Sequence, residues 1–134
     1  MMYNRRVMGI FQNPSNAGEL KGDDCCCGMA VNNVFGDTVK IFIKVENNKV
    51  VDCKFKAFGN VATIACSSIA TELVLNRTLE DLQNFNTQEI VKVLDSIPES
   101  KQYSVVLVKE AIVDAVKDFI KKQVRLNKKN KNAK

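Results

Sequence analysis

Histidine is missing from all 134 residues. That removes the commonest general base and a common metal ligand, so Ser-His-Asp and Cys-His catalysis are excluded. No apolar run approaches the roughly 20 residues that span a bilayer. The first residues, Met1-Met2-Tyr3-Asn4-Arg5-Arg6, lead into no apolar signal region. The expected location is therefore the cytoplasm, with no membrane partner. No internal repeat is visible, and residues 121–134 contain no acidic side chain.

What is present has the composition of an ordinary soluble globular domain, 46% hydrophobic and 26% charged. At this length one core is expected and two are not. The net charge of +5 is concentrated at the C-terminus, where residues 121–134 carry seven Lys/Arg and leave 13 basic against 15 acidic residues in the remainder. With no aromatic interleaved to stack a base, this segment reads as a flexible, solvated basic tail rather than a nucleic-acid site. Five cysteines, three of them consecutive at Cys25, Cys26 and Cys27, do not look like a disulfide framework. In a cytosolic chain they imply metal, redox chemistry or simple packing.

Hydrophobic periodicity sets the order of elements. Residues 3–11 read as a short amphipathic helix with Val7, Ile10 and Phe11 on one side, stopped ahead of Pro14. A Gly/Asn/Asp loop follows through Asp24. Val39, Ile41, Ile43 and Val45 then alternate with Lys40, Phe42 and Lys44, and Val51, Cys53, Phe55 and Ala57 alternate with Asp52, Lys54 and Lys56. These are two half-buried strands, joined by a tight turn at Asn47-Asn48. Residues 25–34 pair as a third strand. Residues 61–75, with Ala62, Ala65 and Ala70, form a helix small enough to lie close on the sheet. Thr78-x-x-Asp81 opens a short helix in the manner of a capping box, and Thr87 opens another over 88–94. The last helix runs from about Ser104 into the 120s, with Val105, Val108, Ile112, Ala115, Val116 and Phe119 as its core stripe. The expected fold class is α+β: a three-stranded antiparallel sheet with helices packed on one face. One domain is expected over 1–122, followed by the tail at 123–134.

Several phrases carry a more specific likeness. They are Asn13-Pro14-Ser15-Asn16-Ala17-Gly18, Gly36-Asp37, Phe55-Lys56-Ala57-Phe58-Gly59, Ala62-x-Ile64-Ala65-x-Ser67-Ser68 and Lys109-Glu110-Ala111-Ile112. In content and spacing the chain resembles the IscU/NifU N-terminal type of iron–sulfur cluster assembly scaffold from about Tyr3 to Ile120. It lacks the extra segment of the zinc-containing sulfur-acceptor branch. The resemblance implies a protein that takes sulfur from a cysteine desulfurase, builds a [2Fe–2S] cluster on three loops and passes it on. It also implies ligands in Ala-Cys-Gly-Asp, Tyr-Gly-Cys and Lys-x-His-Cys. Here those phrases read Val34-Phe35-Gly36-Asp37, Phe58-Gly59-Asn60 and Lys101-Gln102-Tyr103-Ser104. Of the implied ligand positions Phe35, Asp37, Asn60, Tyr103 and Ser104, only Asp37 keeps the family residue.

Iron and sulfide are held by soft thiolates. Phe35 is no ligand, Asn60, Tyr103 and Ser104 offer weak neutral oxygens, and Asp37 alone supplies one hard oxygen. No cofactor, neither a [2Fe–2S] cluster nor zinc, is therefore expected at the usual site, and no enzymatic activity. The expected function is a divergent assembly-pathway protein acting through partners: a cysteine desulfurase, an intact scaffold paralogue or further copies of itself. Phe35, at a loop tip, is the candidate contact anchor. Pro98 and Lys101 are what remains of the chaperone motif Leu-Pro-Pro-Val-Lys, here Ile97-Pro98-Glu99-Ser100-Lys101. Two alternatives stand beside this reading. One is a non-catalytic interaction or regulatory module. The other is metal binding at a separate site built from Cys25, Cys26 and Cys27 of two chains. Alternation sends Cys26 to the opposite side from Cys25 and Cys27. Cys27 is expected on the order of 25 Å from Phe35 along the strand. Cys53 and Cys66 are expected in the core.

Overall fold

Side-chain alternation in the middle of the chain builds the sheet. In the computed structural model, which describes residues 2–132, β1 (Cys25–Val31), β2 (Thr38–Glu46) and β3 (Lys49–Phe58) form an antiparallel sheet in the order β1-β2-β3. Cys26 and Ala30 of β1, Val39, Ile41, Ile43 and Val45 of β2, and Val50, Cys53 and Phe55 of β3 are buried on one face. Asn47 and Asn48, both at positive φ (52° and 64°), make the tight β2–β3 turn, a conformation that asparagine tolerates better than most residues.

The register departs from simple alternation at one place. Val45 pairs with Val50 but Lys44 pairs with Asp52, a bulge that leaves Val51 as the extra residue. The inward residue is therefore Val50, fully buried, and the expected inward Val51 is 42% exposed. Two adjacent valines satisfy either phase, so only the turn geometry selects one.

Helices cover the buried face. α1 (Arg5–Gln12) begins after Asn4, whose side chain accepts the Val7 N–H at 2.8 Å, so it starts two residues later than periodicity suggests. α2 (Val61–Leu73) lies over the sheet with Ala62, Ala65, Cys66 and Ala70 buried. α3 (Leu79–Gln83) is capped by Thr78, which accepts from Asp81 N–H. α4 (Gln88–Leu94) is not capped by the Thr87 side chain. The residue before it, Asn86, accepts the Gln88 N–H at 2.9 Å instead. A 3-10 turn at Glu99–Lys101 leads into α5 (Tyr103–Asn132).

The core stripe of α5 packs on β1 so closely that Gly28 has no room for a side chain. A Cβ there would lie 2.1 Å from the Ala111 carbonyl oxygen and 2.2 Å from the Ala115 nitrogen. α5 also runs further than its apolar stripe. Residues 123–132, expected as part of a flexible tail, continue the helix, since Gln, Arg, Leu and Lys extend a helix without needing a buried face. The tail's last two residues lie outside the described part.

Both outer edges of the sheet carry partners. Beside β3, Gly18 N–H donates to the Phe55 carbonyl at 2.8 Å and Phe55 N–H to that of Asn16 at 3.0 Å. Beside β1, the α5 side chains Asp118 and Asp114 accept the N–H groups of Cys27 (3.0 Å) and Met29 (2.9 Å), and Lys122 donates to the Cys25 carbonyl at 2.8 Å.

Candidate functional site

Three connections converge at one end of the sheet: the β1–β2 loop, the β3–α2 junction and the start of α5. They bring Phe35, Asp37, Asn60, Tyr103 and Ser104 together, and with them Thr63, which was not anticipated. In the first loop Asn32 accepts the N–H groups of Val34 and Phe35 at 3.0 Å through its side chain. Gly36 takes φ +80°, and Asp37 follows, turned inward and only 3% exposed.

The Asp37 carboxylate is the hub of a closed hydrogen-bond network. One amide hydrogen of Asn60 reaches Asp37 Oδ2 at 3.0 Å, and the other reaches the Tyr103 hydroxyl oxygen at 2.6 Å. Thr63 donates a short hydrogen bond to the same carboxylate. Its proton thus committed, Thr63 accepts from Ser104, with Oγ atoms 2.9 Å apart. The Tyr103 hydroxyl in turn donates toward Asp37 at 3.4 Å. Asn60 meanwhile uses its side-chain oxygen as the N-cap of α2, accepting from Ala62 (2.8 Å) and Thr63 (3.2 Å). Its own backbone N–H points at Asp37 Oδ2 at 3.4 Å, so the positive end of α2 faces the carboxylate. Gly59 completes the enclosure: a Cβ there would lie 2.4 Å from Asp37 Oδ2.

An aromatic pair covers this network. The Phe35 ring stacks on Tyr103 with centroids 4.6 Å apart and planes at 21°. Phe35 nevertheless remains 60% exposed, so it both lies over the network and presents an apolar surface outward. Burial, and secondarily the negative charge of Asp37, push the Tyr103 hydroxyl above its usual pKa. Burial does the same at Tyr3, which also feels Asp37. Both phenols therefore stay neutral. Thr63 lies three residues after the N-cap Asn60, and that spacing was the available signal for its role.

The cysteines lie elsewhere. Cys25, Cys26 and Cys27 pair with Lys44, Ile43 and Phe42, whereas Val31 pairs with Thr38 beside Asp37. Four residues of strand, about 13 Å, thus separate Cys27 from the site end of β1. Cys26 belongs to the core cluster, so alternation turns Cys25 and Cys27 to the other face. Cys53 and Cys66 are buried in the core. Burial pushes the Cys26 thiol up to about 11 and that of Cys66 to about 12. It also raises Cys27, Cys53 and Cys25, the last aided by Asp24. A nucleophilic cysteine needs its thiolate near neutral pH, and these surroundings oppose it. Pro98 and Lys101 are half-buried at the 3-10 turn, where Lys101 N–H donates to the Pro98 carbonyl at 2.8 Å, directly ahead of Tyr103.

Comparison with known proteins agrees with this frame. The family model of the NifU-like N-terminal domain matches residues 2–126. The chain is 35% identical over 127 residues to the iron–sulfur cluster assembly scaffold protein IscU 1 of Archaeoglobus fulgidus, covering 95% of this chain and 82% of that one. It is 35% identical over 133 residues to the iron–sulfur cluster assembly scaffold protein IscU of Rickettsia prowazekii, covering 97% and 99%. Among solved structures, the N-terminal part of a NifU-like protein from Brucella abortus superposes with a TM-score of 0.74 at 17% identity, covering 90% of this chain and 95% of that one. A three-stranded antiparallel sheet backed by helices, with those matches along nearly its whole length, places this chain in the NifU-like N-terminal domain family, that of the IscU iron–sulfur cluster assembly scaffolds.

Proposed function

We propose that this protein works in iron–sulfur cluster assembly through partner binding and carries no cluster at the family's usual site. The observation that supports this reading is the network around Asp37. Five positions where the family resemblance implies ligands are here bonded to one another, through Thr63, or stacked. Opening them to a metal would cost the buried carboxylate its donors and would still offer no thiolate. Phe35 gives the same end of the molecule an exposed aromatic anchor. A cysteine desulfurase or an intact scaffold is the partner proposed for this surface.

The test is binding of the metal-free chain to a purified cysteine desulfurase and to an intact scaffold protein, measured by titration calorimetry. The expected result is binding to one of them without iron, weakened roughly tenfold by Phe35→Ala, as for an aromatic interface anchor. Absence of binding to both, or identical affinity for Phe35→Ala, would sink the proposal.

A further inference from the structure

The open part of the β1 edge lies outside the Asp37 network. Lys122 occupies the Cys25 carbonyl, and Asp118 and Asp114 occupy the Cys27 and Met29 N–H groups. Those contacts fix which residues point outward. By the same alternation the Met29 carbonyl and the Val31 N–H also face away from β2, and no other group among the described residues bonds them. Both are groups that only an extended backbone can engage along its length.

Beside this open stretch the surface is hollowed twice. One depression of about 470 Å³ is lined by Met29, Val106 and Val113, the next, of about 460 Å³, by Val31, Val34 and Val106. They abut, since Val106 and Glu110 line both. Met29 and Val31 stand one i, i+2 step apart on the outer face of the sheet, about 6.7 Å, the same step that separates alternate side chains of a bound strand. Glu110 stands on the α5 side, exposed and in no ion pair among the described residues. Asp114 lines the same groove and is tied to Met29, while Lys109 and Lys117 flank it.

The geometry points to this groove as the docking site of a short extended peptide segment, with apolar residues at i and i+2 against Met29 and Val31 and a basic residue at i+1 facing Glu110. The inference rests on the reading that the chain acts through partners, and it states the form in which one partner engages it. A second copy of β1 is the weaker fit, because pairing along the whole edge would displace Asp114 and Asp118.

The probe is an acetylated, amidated peptide Thr-Val-Arg-Val-Thr, titrated into the isotope-labelled full chain and followed by amide NMR shifts. The expected result is saturable shifts centred on Met29, Val31 and Val106. Replacing the central arginine of the peptide with glutamate should weaken binding at least tenfold. Val31→Pro removes the docking N–H while leaving the outward-facing edge position one that proline tolerates, and should also weaken binding at least tenfold. Should that variant not fold, Glu110→Lys decides, since it must reverse the preference between the two peptides. Shifts that are absent or scattered, affinity unchanged by Glu110→Lys, or a concentration-dependent dimer in place of peptide binding would each overturn the assignment. Peptide binding by a chain that ignores both desulfurase and scaffold would sink the pathway reading and leave the groove. The converse result sinks the groove alone.

Discussion

Asp37→Ala is expected to lower the unfolding free energy by about 3 kcal/mol and the melting temperature by about 10 °C. The carboxylate is 3% exposed and accepts from Asn60 and Thr63, with Tyr103 close by. Truncation removes charge-assisted bonds that contribute about 1.5–3 kcal/mol each. It leaves the Thr63 hydroxyl and an Asn60 amide hydrogen without their acceptor. The loss stays below the sum of the bonds because Asn60 and Tyr103 are only partly buried and can turn to water. Asp37→Asn keeps the volume and one acceptor oxygen, so its loss should be about half as large. Thermal melts of the three proteins, with and without a chelator, check this. The chelator should change none of them, whereas a metal-loaded site would make the wild type sensitive to it.

The second large effect is a gain. Placing the family's ligand types at the four substituted positions, with Phe35→Cys, Asn60→Cys, Tyr103→His and Ser104→Cys combined, should give a chain that takes up iron and sulfide stoichiometrically. The reason is positional: these residues already surround Asp37 on three connections that the fold brings together. The metal-free form of the variant should be less stable than the wild type, because the network is gone, and metal binding should restore the difference. Iron analysis and melting curves of the variant before and after loading would show both. Failure to take up iron would mean that the convergence does not suffice for a ligand set.

Much of the fold could be read directly. The alternation of Val39, Ile41, Ile43 and Val45 on β2 and the stripe from Val105 to Val116 on α5 each have one outlet, a single buried face. What escaped was wherever two residues were chemically equivalent. Val50 and Val51 hide a phase slip, and the adjacent Asn86 and Thr87 are both good caps. The end of α5 was missed because no apolar stripe marks a solvent-exposed helix. At the site, the substitutions at Phe35, Asn60, Tyr103 and Ser104 were visible as substitutions. That they would bond or stack with one another was not, because their hydrogen-bond partners lie as far as 66 residues away in sequence. Thr63 sits inside an apolar helix, where nothing but its spacing from Asn60 marks it. Its hydroxyl is what links Asp37 to Ser104.

The central claim is that the residues at the usual site are spent on each other and hold no cluster. Its most direct test is anaerobic reconstitution of the wild-type chain with iron and sulfide, followed by desalting, a visible spectrum and iron analysis. The account predicts a colourless protein that retains neither iron nor sulfide. A stoichiometric, coloured cluster that survives desalting would contradict it.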